Sequence, residues 1–412
     1  MQWVVQKEVG STEQVATRLG DLEIALLTGG QDRPYALGLA LALIDQGIGV
    51  DVIGSDELDA PEMHNRPALR FLNLRGNQRR DATLSQKVWR VALYYLRLMR
   101  YTATAQPQVF HILWNNRIEY FDRTILMLFY KLCGKQVVLT AHNVNAARRD
   151  SRDSVLNRLT LWAQYHLAKH IFVHTEKMKT ELMKHFGVPE SAVTVLVHPI
   201  NDAFPNTALT CADAKRRLGL RDSDCTMLFF GRLQPYKGLE YLVTAFELLA
   251  RKSSAYRLII AGEPKKGSEA YESEIRRRIA AWVGQGSIVP VFKFIADADV
   301  ELYFKAADVL VLPYKDIFQS GVLFLGLTFG LPVVASDVGS LSESIVPGRT
   351  GEICRPGDVP DLAAALQRYF ESELYRDLSA RRVVIREATL AGHSWRPVGE
   401  LTRSIYVGIS AR

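Results

Sequence analysis

The sequence predicts an α/β protein with two Rossmann-like, doubly wound domains that face each other across a cleft. Two series of short apolar runs alternate with helical patterns, and each run is almost continuously apolar. Parallel strands that helices cover on both faces have this composition, whereas half-exposed strands alternate in polarity. Residues 198–210 contain Pro, Asn and Asp, separate the two series and are typical of a linker.

The apolar runs give the individual elements. The first series predicts strands at residues 22–28, 50–54, 69–74, 109–113, 136–141, 170–175 and 193–197, with helices at 35–46, 87–104, 124–133 and 155–168. The second predicts strands at 226–231, 257–262, 288–293, 308–313 and 331–336, with helices at 238–251, 268–283, 299–306 and 359–371. We therefore expect an N-terminal domain over 1–200, a C-terminal domain over 201–385, and a final helix, 386–412, packed back on the N-terminal domain.

Composition narrows the class of protein. The chain has 412 residues, of which 48% are hydrophobic, and this length suits two domains rather than one core. The formal charge of +7 is compatible with an anionic substrate or an anionic membrane surface. The charge is too diffuse to indicate nucleic-acid binding, since no compact Lys/Arg block with interleaved aromatic residues occurs.

Cysteine usage and hydropathy predict a cytoplasmic protein. No apolar run reaches the ~18 residues that span a bilayer. The N-terminal stretch MQWVVQKEVGSTEQ lacks the apolar core of a signal peptide. Zinc-ligand spacing is absent, and widely separated thiols favour a reducing compartment. The four cysteines are Cys133, Cys211, Cys225 and Cys354.

The segment LFFGRLQPYKGLEYLVTAF, residues 228–246, is the clearest candidate site. A strand ends at Gly231, Arg232 and Lys237 follow, and Gly238 opens an amphipathic helix. Glycines admit a ligand close to the backbone, and a helix N-terminus adds a positive dipole. Together with two cations, these features suit a diphosphate. An exposed turn with two solvated cations is the alternative.

This segment resembles the GRL…KG element of glycosyltransferase family 4, the retaining glycosyltransferases of GT-B fold. Three further elements follow in the family's order: AADVLVLPY (306–314), GLPVVASDVGSLSE (330–343) and GRTGEICRPGD (348–358). As a set they resemble the family over residues 226 to about 370, while the N-terminal half resembles it only loosely.

The resemblance implies that the C-terminal domain holds a nucleotide-sugar donor, with a UDP-sugar favoured. Arg232 and Lys237 would bind its diphosphate and stabilise charge on the departing nucleotide. The resemblance also implies that no metal or other cofactor is needed. The sequence DSD at 222–224 lies in a polar turn, and we do not expect it to bind a metal.

Two further donor contacts follow from the resemblance. The family places a glycine-containing loop against the donor phosphates, and Gln319, Ser320, Gly321 and Val322 occupy that position here. Simple helix capping by the serine is the alternative. The loop FKFIADADVELYF (292–304) resembles the one that recognises the nucleotide base, with Phe294 and Ile295 as candidates; packing is an equal alternative.

The chain departs from the family at a pair of glutamates. Counting back from the GLPVVAS element puts Ile317 and Leu325 where the family has them. The second glutamate normally holds the nucleotide ribose, so that contact is in doubt. Asp316 could bring its carboxylate to the sugar, or be a solvated loop residue. Glu343 matches a downstream family glutamate, although capping or surface exposure would also explain it.

The N-terminal half contributes weaker candidates. Gly29 and Gly30 follow a strand, where backbone amides could face the donor phosphate or the acceptor, or form a simple turn. His142 resembles the family's strand-end histidine, which contacts the donor sugar. Further candidates, each with a structural alternative, are Trp114, Asn115, Asn116, Asn143 and Asn145 for sugar hydroxyls, Arg148 and Arg149 for an anionic acceptor, and His174, Thr175 and Lys177 for the cleft wall.

The resemblance therefore predicts a retaining glycosyltransferase that moves a hexose from a UDP- or GDP-sugar to a saccharide or lipid-linked hydroxyl, in polysaccharide or glycolipid biosynthesis. The helix 87–104 is basic and amphipathic, so it is either a peripheral contact with an anionic membrane or a core-facing helix with a basic outer face. Two rival functions stay open: a nucleotide-sugar epimerase of the same fold, and a non-catalytic sugar-nucleotide binding protein.

Overall fold

The computed structural model describes residues 22–30, 32–79, 83–149, 153–200, 205–265 and 267–410. The chain divides into two compact units, each built on one parallel sheet. The N-terminal unit comprises Met1–Asn201 with Ser394–Arg412, and the C-terminal unit comprises Asp202–His393. Two doubly wound α/β domains, the predicted fold class, are thereby confirmed.

The N-terminal unit contains a seven-stranded parallel sheet in the order β3-β2-β1-β4-β5-β6-β7. The order reverses between β1 and β4, and ligands of such sheets bind beyond the carboxyl ends of strands at a reversal of this kind. The strands are β1 (Glu23–Leu27), β2 (Gly49–Gly54), β3 (Leu69–Asn73), β4 (Val109–Ile112), β5 (Gln136–Thr140), β6 (His170–Val173) and β7 (Val193–Val195). The helices are Arg33–Ile44, Leu84–Thr104, Glu119–Phe121, Met127–Leu132, Ala146–Arg149, Val155–Leu167 and Glu176–Phe186, with a π-helical turn at Asp122–Leu126.

The last helix of the chain, Trp395–Ser410, belongs to this unit and packs along Arg33–Ile44. Two glycines allow the close approach: a Cβ on Gly38 would collide with the Trp395 ring, and one on Gly399 would lie 2.8 Å from a backbone oxygen of the facing helix. Substituting either glycine would therefore separate the two helices.

The C-terminal unit contains a six-stranded parallel sheet in the order β10-β9-β8-β11-β12-β13. Its strands are β8 (Cys225–Phe230), β9 (Tyr256–Ala261), β10 (Ile288–Val291), β11 (Val309–Leu312), β12 (Val333–Ser336) and β13 (Gly351–Cys354). Its helices are Cys211–Arg217, Leu239–Ala250, Glu269–Gly284, Asp297–Ala306, Gly321–Thr328, Val359–Glu371, Glu373–Arg376 and Leu378–Gly392.

The structure differs from the prediction at a strand that was missed and at the start of the final helix, among other element bounds. The edge strand β13 was not predicted as a strand, because the four residues GEIC are too short and too polar to give an apolar run. The final helix was predicted to start at residue 386, but residues 386–392 belong to Leu378–Gly392, and His393 ends that helix. Of the predicted linker, residues 201–204 lie outside the described residues, as does the N-terminal stretch 1–14.

Within the described residues, no helix combines the length and the apolar character that crossing a membrane requires.

Candidate functional site

In the C-terminal unit, glycines bring two loops together at the carboxyl ends of β8 and β9. Gly231 follows β8 with a φ of +98°, and a Cβ on Gly262, after β9, would collide with the Gly231 carbonyl oxygen. A Cβ on Gly231 itself would lie 2.8 Å from the Lys237 ammonium. Gly231 therefore leaves the space that the Lys237 side chain occupies.

Lys237 is held in place by the turn that contains it. Pro235–Lys237 form a 3-10 turn, and Gly238 continues it in the left-handed conformation with φ of +65°. A Cβ at Gly238 would collide with the Pro313 carbonyl oxygen, so only glycine fits between this turn and the end of β11. The sequence G-R-x-x-x-x-K-G thus encodes the position of one ammonium group.

The Lys237 side chain is a buried cation that no described carboxylate neutralises. The residue is 7% exposed, and its ammonium lies 5.7 Å from the centre of the Tyr314 ring. Burial, with a smaller contribution from the charge of Arg232, lowers the pKa of Lys237 to about 8. Because a buried charge without a counter-ion is costly, this site favours an anionic ligand.

Arg232 differs from its neighbour in both exposure and pairing. Its side chain is 63% exposed, and its Nε lies 3.6 Å from the Glu263 carboxylate. An exposed and weakly paired guanidinium can turn toward a phosphate at little cost. Of the two predicted cations, Lys237 is therefore held in one position, whereas the Arg232 side chain is free to reorient.

The helix Gly321–Thr328 begins beside these cations. Val322 lies 3.5 Å from the position that a Cβ on Gly231 would take. Ser320 occupies the N-cap position, but its hydroxyl does not cap the helix and instead lies 3.5 Å from the Tyr314 hydroxyl. The capping alternative for Ser320 is therefore wrong. The first N–H groups of a helix have no partner within it, so this end can donate hydrogen bonds to phosphate oxygens.

Taken together, the structure brings Gly231, Lys237, Ser320 and Val322 to one place, with Gly321 at the helix start and Gln319 half-buried before it. A buried ammonium, an uncapped helix N-terminus and close backbone approach are the parts of a phosphate-binding site.

In the N-terminal unit, Gly29 and Gly30 form a left-handed turn after β1, with φ of +59° and +73°. The Arg75 guanidinium donates to the Gly29 carbonyl, and the Gln78 side chain donates to the Gly30 carbonyl at 3.4 Å. A Cβ on Gly29 would lie 2.6 Å from the Asn115 carbonyl oxygen. The double glycine therefore packs closely after β1, and sequence reasoning missed Arg75 and Gln78 because neither belongs to a recognisable motif.

His142 lies in a cluster of rings that follow β4, β5 and β6. It stacks on Trp114 with ring centres 4.3 Å apart, and Tyr35 meets its ring edge-on at 5.0 Å. Its Nδ1 lies 3.1 Å from His174 Nε2, and His174 Nδ1 lies 3.2 Å from the Leu196 carbonyl oxygen. Burial holds the pKa of His142 well below its usual range and lowers that of His174 to about 4.

The ring cluster contains buried polar atoms that make no hydrogen bond within the described residues. His142 Nε2 is buried and makes no hydrogen bond within the described part of the chain. A buried, unsatisfied ring nitrogen is destabilising unless a ligand or water satisfies it. The Tyr35 hydroxyl, in the same cluster, is likewise buried without a hydrogen bond.

Most other polar candidates of this unit bond to the protein itself. The Asn115 amide pairs with Gln164, Asn116 accepts from Tyr94 at 2.5 Å, and Asn145 accepts from Asn157 at 3.0 Å. These internal bonds occupy the side-chain oxygens of the three amides that the sequence assigned to sugar hydroxyls. Thr175 caps the helix Glu176–Phe186, Arg148 pairs with Glu181 at 3.7 Å, Asn143 is half-buried, Lys177 is exposed, and the Arg149 side chain lies outside the described residues.

Among the residues that the structure describes, no three His, Cys, Asp or Glu side chains are grouped as metal ligands would be. In the DSD sequence, the buried Asp224 carboxylate pairs with Arg257 at 3.3 Å and with Arg221 at 3.1 Å.

Two family models match the chain. The one described as Glycosyltransferase Family 4 matches residues 29–204, and the one described as Glycosyl transferases group 1 matches residues 224–372. The chain belongs to glycosyltransferase family 4.

Curated relatives of this family-4 chain carry transferase names. The D-inositol 3-phosphate glycosyltransferase of Streptomyces avermitilis is 30% identical over 248 residues, which are 58% of this chain and 52% of that protein. The alpha-D-kanosaminyltransferase of Streptomyces kanamyceticus is 24% identical over 259 residues, 62% of this chain and 65% of that protein. The chain therefore spans about half to two thirds of the length of these relatives.

Solved structures show the same GT-B fold over nearly the whole chain. Sucrose-phosphate synthase from Thermosynechococcus elongatus has a TM-score of 0.73 at 20% identity, covering 95% of this chain and 99% of that one. Anabaena HepE, solved in complex with UDP-glucose, has a TM-score of 0.70 at 15% identity, covering 94% and 99%.

The family-4 glutamate positions hold apolar packing residues here. Ile317 is buried, and Leu325 is half-buried against the core of the C-terminal unit. Asp316 is exposed and makes no hydrogen bond or ion pair within the described ranges, so its carboxylate can reorient. The backbone of the next residue, Ile317, packs tightly against Gly339, since a Cβ on Gly339 would collide with the Ile317 carbonyl oxygen.

The remaining family-4 candidates separate into exposed and buried positions. Phe294 is 69% exposed, whereas Ile295 is 8% exposed and belongs to the core. Only the backbone of Ile295 is therefore open to a base-recognition role. Glu343 is exposed in the 3-10 turn Ser342–Ser344, and its backbone N–H donates to Ser340 at 3.1 Å.

Proposed function

We propose that this protein is a retaining glycosyltransferase. It moves a hexose from a nucleotide-diphosphate sugar, with a UDP-sugar favoured over a GDP-sugar, to a hydroxyl of a saccharide or lipid-linked acceptor in polysaccharide or glycolipid biosynthesis. The observation that carries this proposal is the buried, carboxylate-free Lys237 ammonium beside an uncapped helix N-terminus.

The donor diphosphate supplies the negative charge that the Lys237 ammonium lacks as a partner. Negative charge builds on the leaving nucleotide as the bond to the sugar breaks, and Lys237 with the start of Gly321–Thr328 is positioned to stabilise it without a metal ion. Arg232 adds a mobile second cation. Acceptor attack on the face that the nucleotide leaves lets the departing diphosphate take the proton and retains the anomeric configuration.

Two residues complete the proposed chemistry. His142 accepts a hydrogen bond from a sugar hydroxyl through its unpartnered Nε2. Asp316, one residue before the first glutamate position of the family, contacts the sugar, since its carboxylate is exposed and unpaired in the described structure.

The donor proposal is tested by isothermal calorimetry with UDP-, GDP- and ADP-glucose, followed by transfer assays on a saccharide and lipid-linked acceptor panel. The variant Arg232→Ala/Lys237→Ala should lose at least about 100-fold in donor affinity. The adjacent exposed cations Arg251 and Lys252 of the same unit provide the control, and Arg251→Ala/Lys252→Ala should bind as the parent does.

Each outcome of that experiment is decisive. If no nucleotide sugar binds, or if the double variant binds normally, the donor site is wrong. If a bound nucleotide sugar is interconverted without an acceptor, the protein is an epimerase. If a donor binds but is neither hydrolysed nor transferred to any acceptor, the protein is a sugar-nucleotide binding protein.

We also propose that the N-terminal unit contacts an anionic membrane peripherally. Helix Leu84–Thr104 carries four cations and no acidic residue. Leu84, Val88 and Leu96 recur at multiples of four residues and are all exposed, as is Trp89. An apolar stripe flanked by cations, with an aromatic residue beside it, suits the interface of an anionic bilayer.

Two other helical segments of the same unit also expose large apolar side chains. Ile125, Leu128 and Leu132 are exposed on 122–132, which packs against Val155–Leu167. That second helix exposes Val155, Leu159 and Trp162. Large apolar side chains that recur at helical spacing on the exposed side of each segment favour contact with an apolar partner.

Co-sedimentation with vesicles tests the membrane contact. The protein should bind phosphatidylglycerol vesicles and bind phosphatidylcholine vesicles weakly, with affinity falling as salt rises. Val88→Ser/Trp89→Ser should weaken binding at least about tenfold. Val383→Ser/Val384→Ser, an exposed pair on Leu378–Gly392 in the other unit, should have no effect. Equal vesicle binding by both variants would contradict the proposal.

A further inference from the structure

His174 links a backbone carbonyl to the ring of His142. Its Nδ1 lies 3.2 Å from the Leu196 oxygen, and its Nε2 lies 3.1 Å from His142 Nδ1. Both contacts lie within the N-terminal unit, at the carboxyl ends of β5, β6 and β7. The two rings thus form a short chain that ends at His142 Nε2.

The carbonyl fixes where the protons are. A carbonyl oxygen only accepts, so His174 Nδ1 must donate its proton to Leu196. In a neutral ring Nε2 is then the acceptor, and it accepts the proton of His142 Nδ1. The opposite arrangement would place two acceptors, His174 Nδ1 and the Leu196 oxygen, 3.2 Å apart.

Both rings are neutral in this arrangement. His174 is buried, and its pKa is about 4 because of that burial. The groups packed around the pair include three rings: Trp114 stacks on His142, Tyr35 meets both histidines edge-on, and His198 meets His174 edge-on at 4.8 Å. A neutral His142 that carries its proton on Nδ1 presents an unprotonated Nε2.

We infer that His174 is a positioning residue that holds His142 in the Nδ1–H form, so that His142 Nε2 accepts a hydrogen bond from a hydroxyl of the bound sugar. This inference rests on the proposed function. Trp114 fixes the plane of the ring, and His174 fixes its protonation. The unpartnered Nε2 therefore selects a ligand O–H donor and disfavours a phosphate or carboxylate oxygen.

The tautomer is measured by nitrogen-15 NMR on the full chain with labelled histidine, and the His142 signals are assigned by their loss in His142→Gln. The expected spectrum shows a protonated Nδ1 and an unprotonated Nε2 for His142. A proton on Nε2 would overturn the inference. His174→Phe should populate the Nε2–H form, whereas His174→Gln, whose amide can both donate and accept, should restore the parent spectrum.

A control separates positioning from general damage to the fold. His170 is buried on β6 and bonds to Thr194 at 2.9 Å rather than to His142. His170→Gln should leave the His142 spectrum unchanged. If His170→Gln shifts the tautomer as much as His174→Phe does, His174 has no specific role.

Kinetics then connect the tautomer to sugar binding. His174→Phe should lower kcat/KM for UDP-glucose about tenfold while leaving UDP affinity unchanged, because one hydrogen bond to the sugar is lost. His174→Gln should recover most of that loss. A parent that has the expected tautomer but binds no nucleotide sugar would refute the proposed function and leave the proton assignment intact. Normal kinetics in His174→Phe would refute the positioning role alone.

Discussion

The two units build their candidate sites in different ways. In the C-terminal unit, glycines bring backbone close together and leave one cation without a carboxylate, as at Gly231, Lys237 and Gly238. In the N-terminal unit, rings pack against rings, and the ring nitrogens of half-buried His142 and buried His174 have hydrogen-bond partners except at His142 Nε2. One site is ready for an anion, and the other for a hydroxyl.

This difference explains why one candidate site has a local sequence motif and the other does not. Backbone geometry constrains consecutive residues, so the cation site is encoded by two short stretches, 231–238 and 320–322. The ring cluster depends on side chains that meet only after folding, and such contacts leave no local pattern. Its members come from six places along the chain: Tyr35, Trp114, His142, His174, His198 and Trp395.

The largest expected difference between the two units is in their stability at low pH, where the N-terminal unit should be destabilised more. Eight of the nine histidines lie within residues 1–201, and only His393 lies in the other unit. Burial lowers the pKa of His111 to about 3 and those of His170 and His174 to about 4. The unfolded chain takes up these protons below its ordinary histidine pKa of about 6.5, so stability is complete above that pH and is lost as pH falls toward 4.

Each buried histidine should lower the free energy of unfolding by about 1.4 kcal/mol for each pH unit below its ordinary pKa. Hydrogen exchange with mass detection, corrected for intrinsic rates, should show β4–β6 losing protection between pH 7 and pH 5 while β8, β9 and β11 keep theirs. Equal loss in both sheets would contradict the assignment of neutral histidines to the N-terminal unit.

Two glycine substitutions, one in each unit, should differ in their cost to the free energy of unfolding because the backbone is packed closely at only one of the two positions. Gly238 and Gly47 both have positive φ, of +65° and +77°, but a Cβ on Gly238 would collide with Pro313 while one on Gly47 meets nothing within 4 Å. Gly238→Ala should cost about 3 kcal/mol or more, and Gly47→Ala about 1 kcal/mol, in unfolding free energy of the respective unit. Urea unfolding measures both, and similar costs would show that the Gly238 turn relaxes easily.

The fold itself followed from the sequence because buried parallel strands are continuous apolar runs, as at 136–141 and 226–231. The edge strand β13 was missed because its pairing with β12, rather than its own composition, makes it a strand. The amides of Asn115, Asn116 and Asn145 were assigned to sugar because their partners, on distant helices, cannot be identified from sequence. The contact of Arg75 with the Gly29 carbonyl was missed because the two residues are far apart in the sequence.

Raising the pH should weaken the C-terminal site without affecting the histidine pair. Lys237 has a pKa of about 8, so its charge is present below that pH and lost above it. The diphosphate of UDP-glucose keeps its charge over this range, so affinity should fall toward about tenfold per pH unit above pH 8. Calorimetry in two buffers of different ionisation enthalpy should show proton uptake on binding near pH 8. A flat affinity from pH 7 to pH 9.5 would mean that Lys237 does not contact the diphosphate.

The smallest effect should come from the ribose. The family holds the nucleotide ribose with a glutamate, and this chain has Leu325 there, half-buried against the core and unable to accept a hydrogen bond. UDP and 2′-deoxy-UDP should therefore bind within about twofold of each other, since no carboxylate is lost with the hydroxyl. Leu325→Glu should introduce a preference for UDP of about tenfold if the position still faces the ribose. A strong preference of the parent chain for UDP over 2′-deoxy-UDP would show that another group has replaced the glutamate. A Leu325→Glu variant that folds but gains no such preference would show that position 325 on the helix Gly321–Thr328 does not face the ribose.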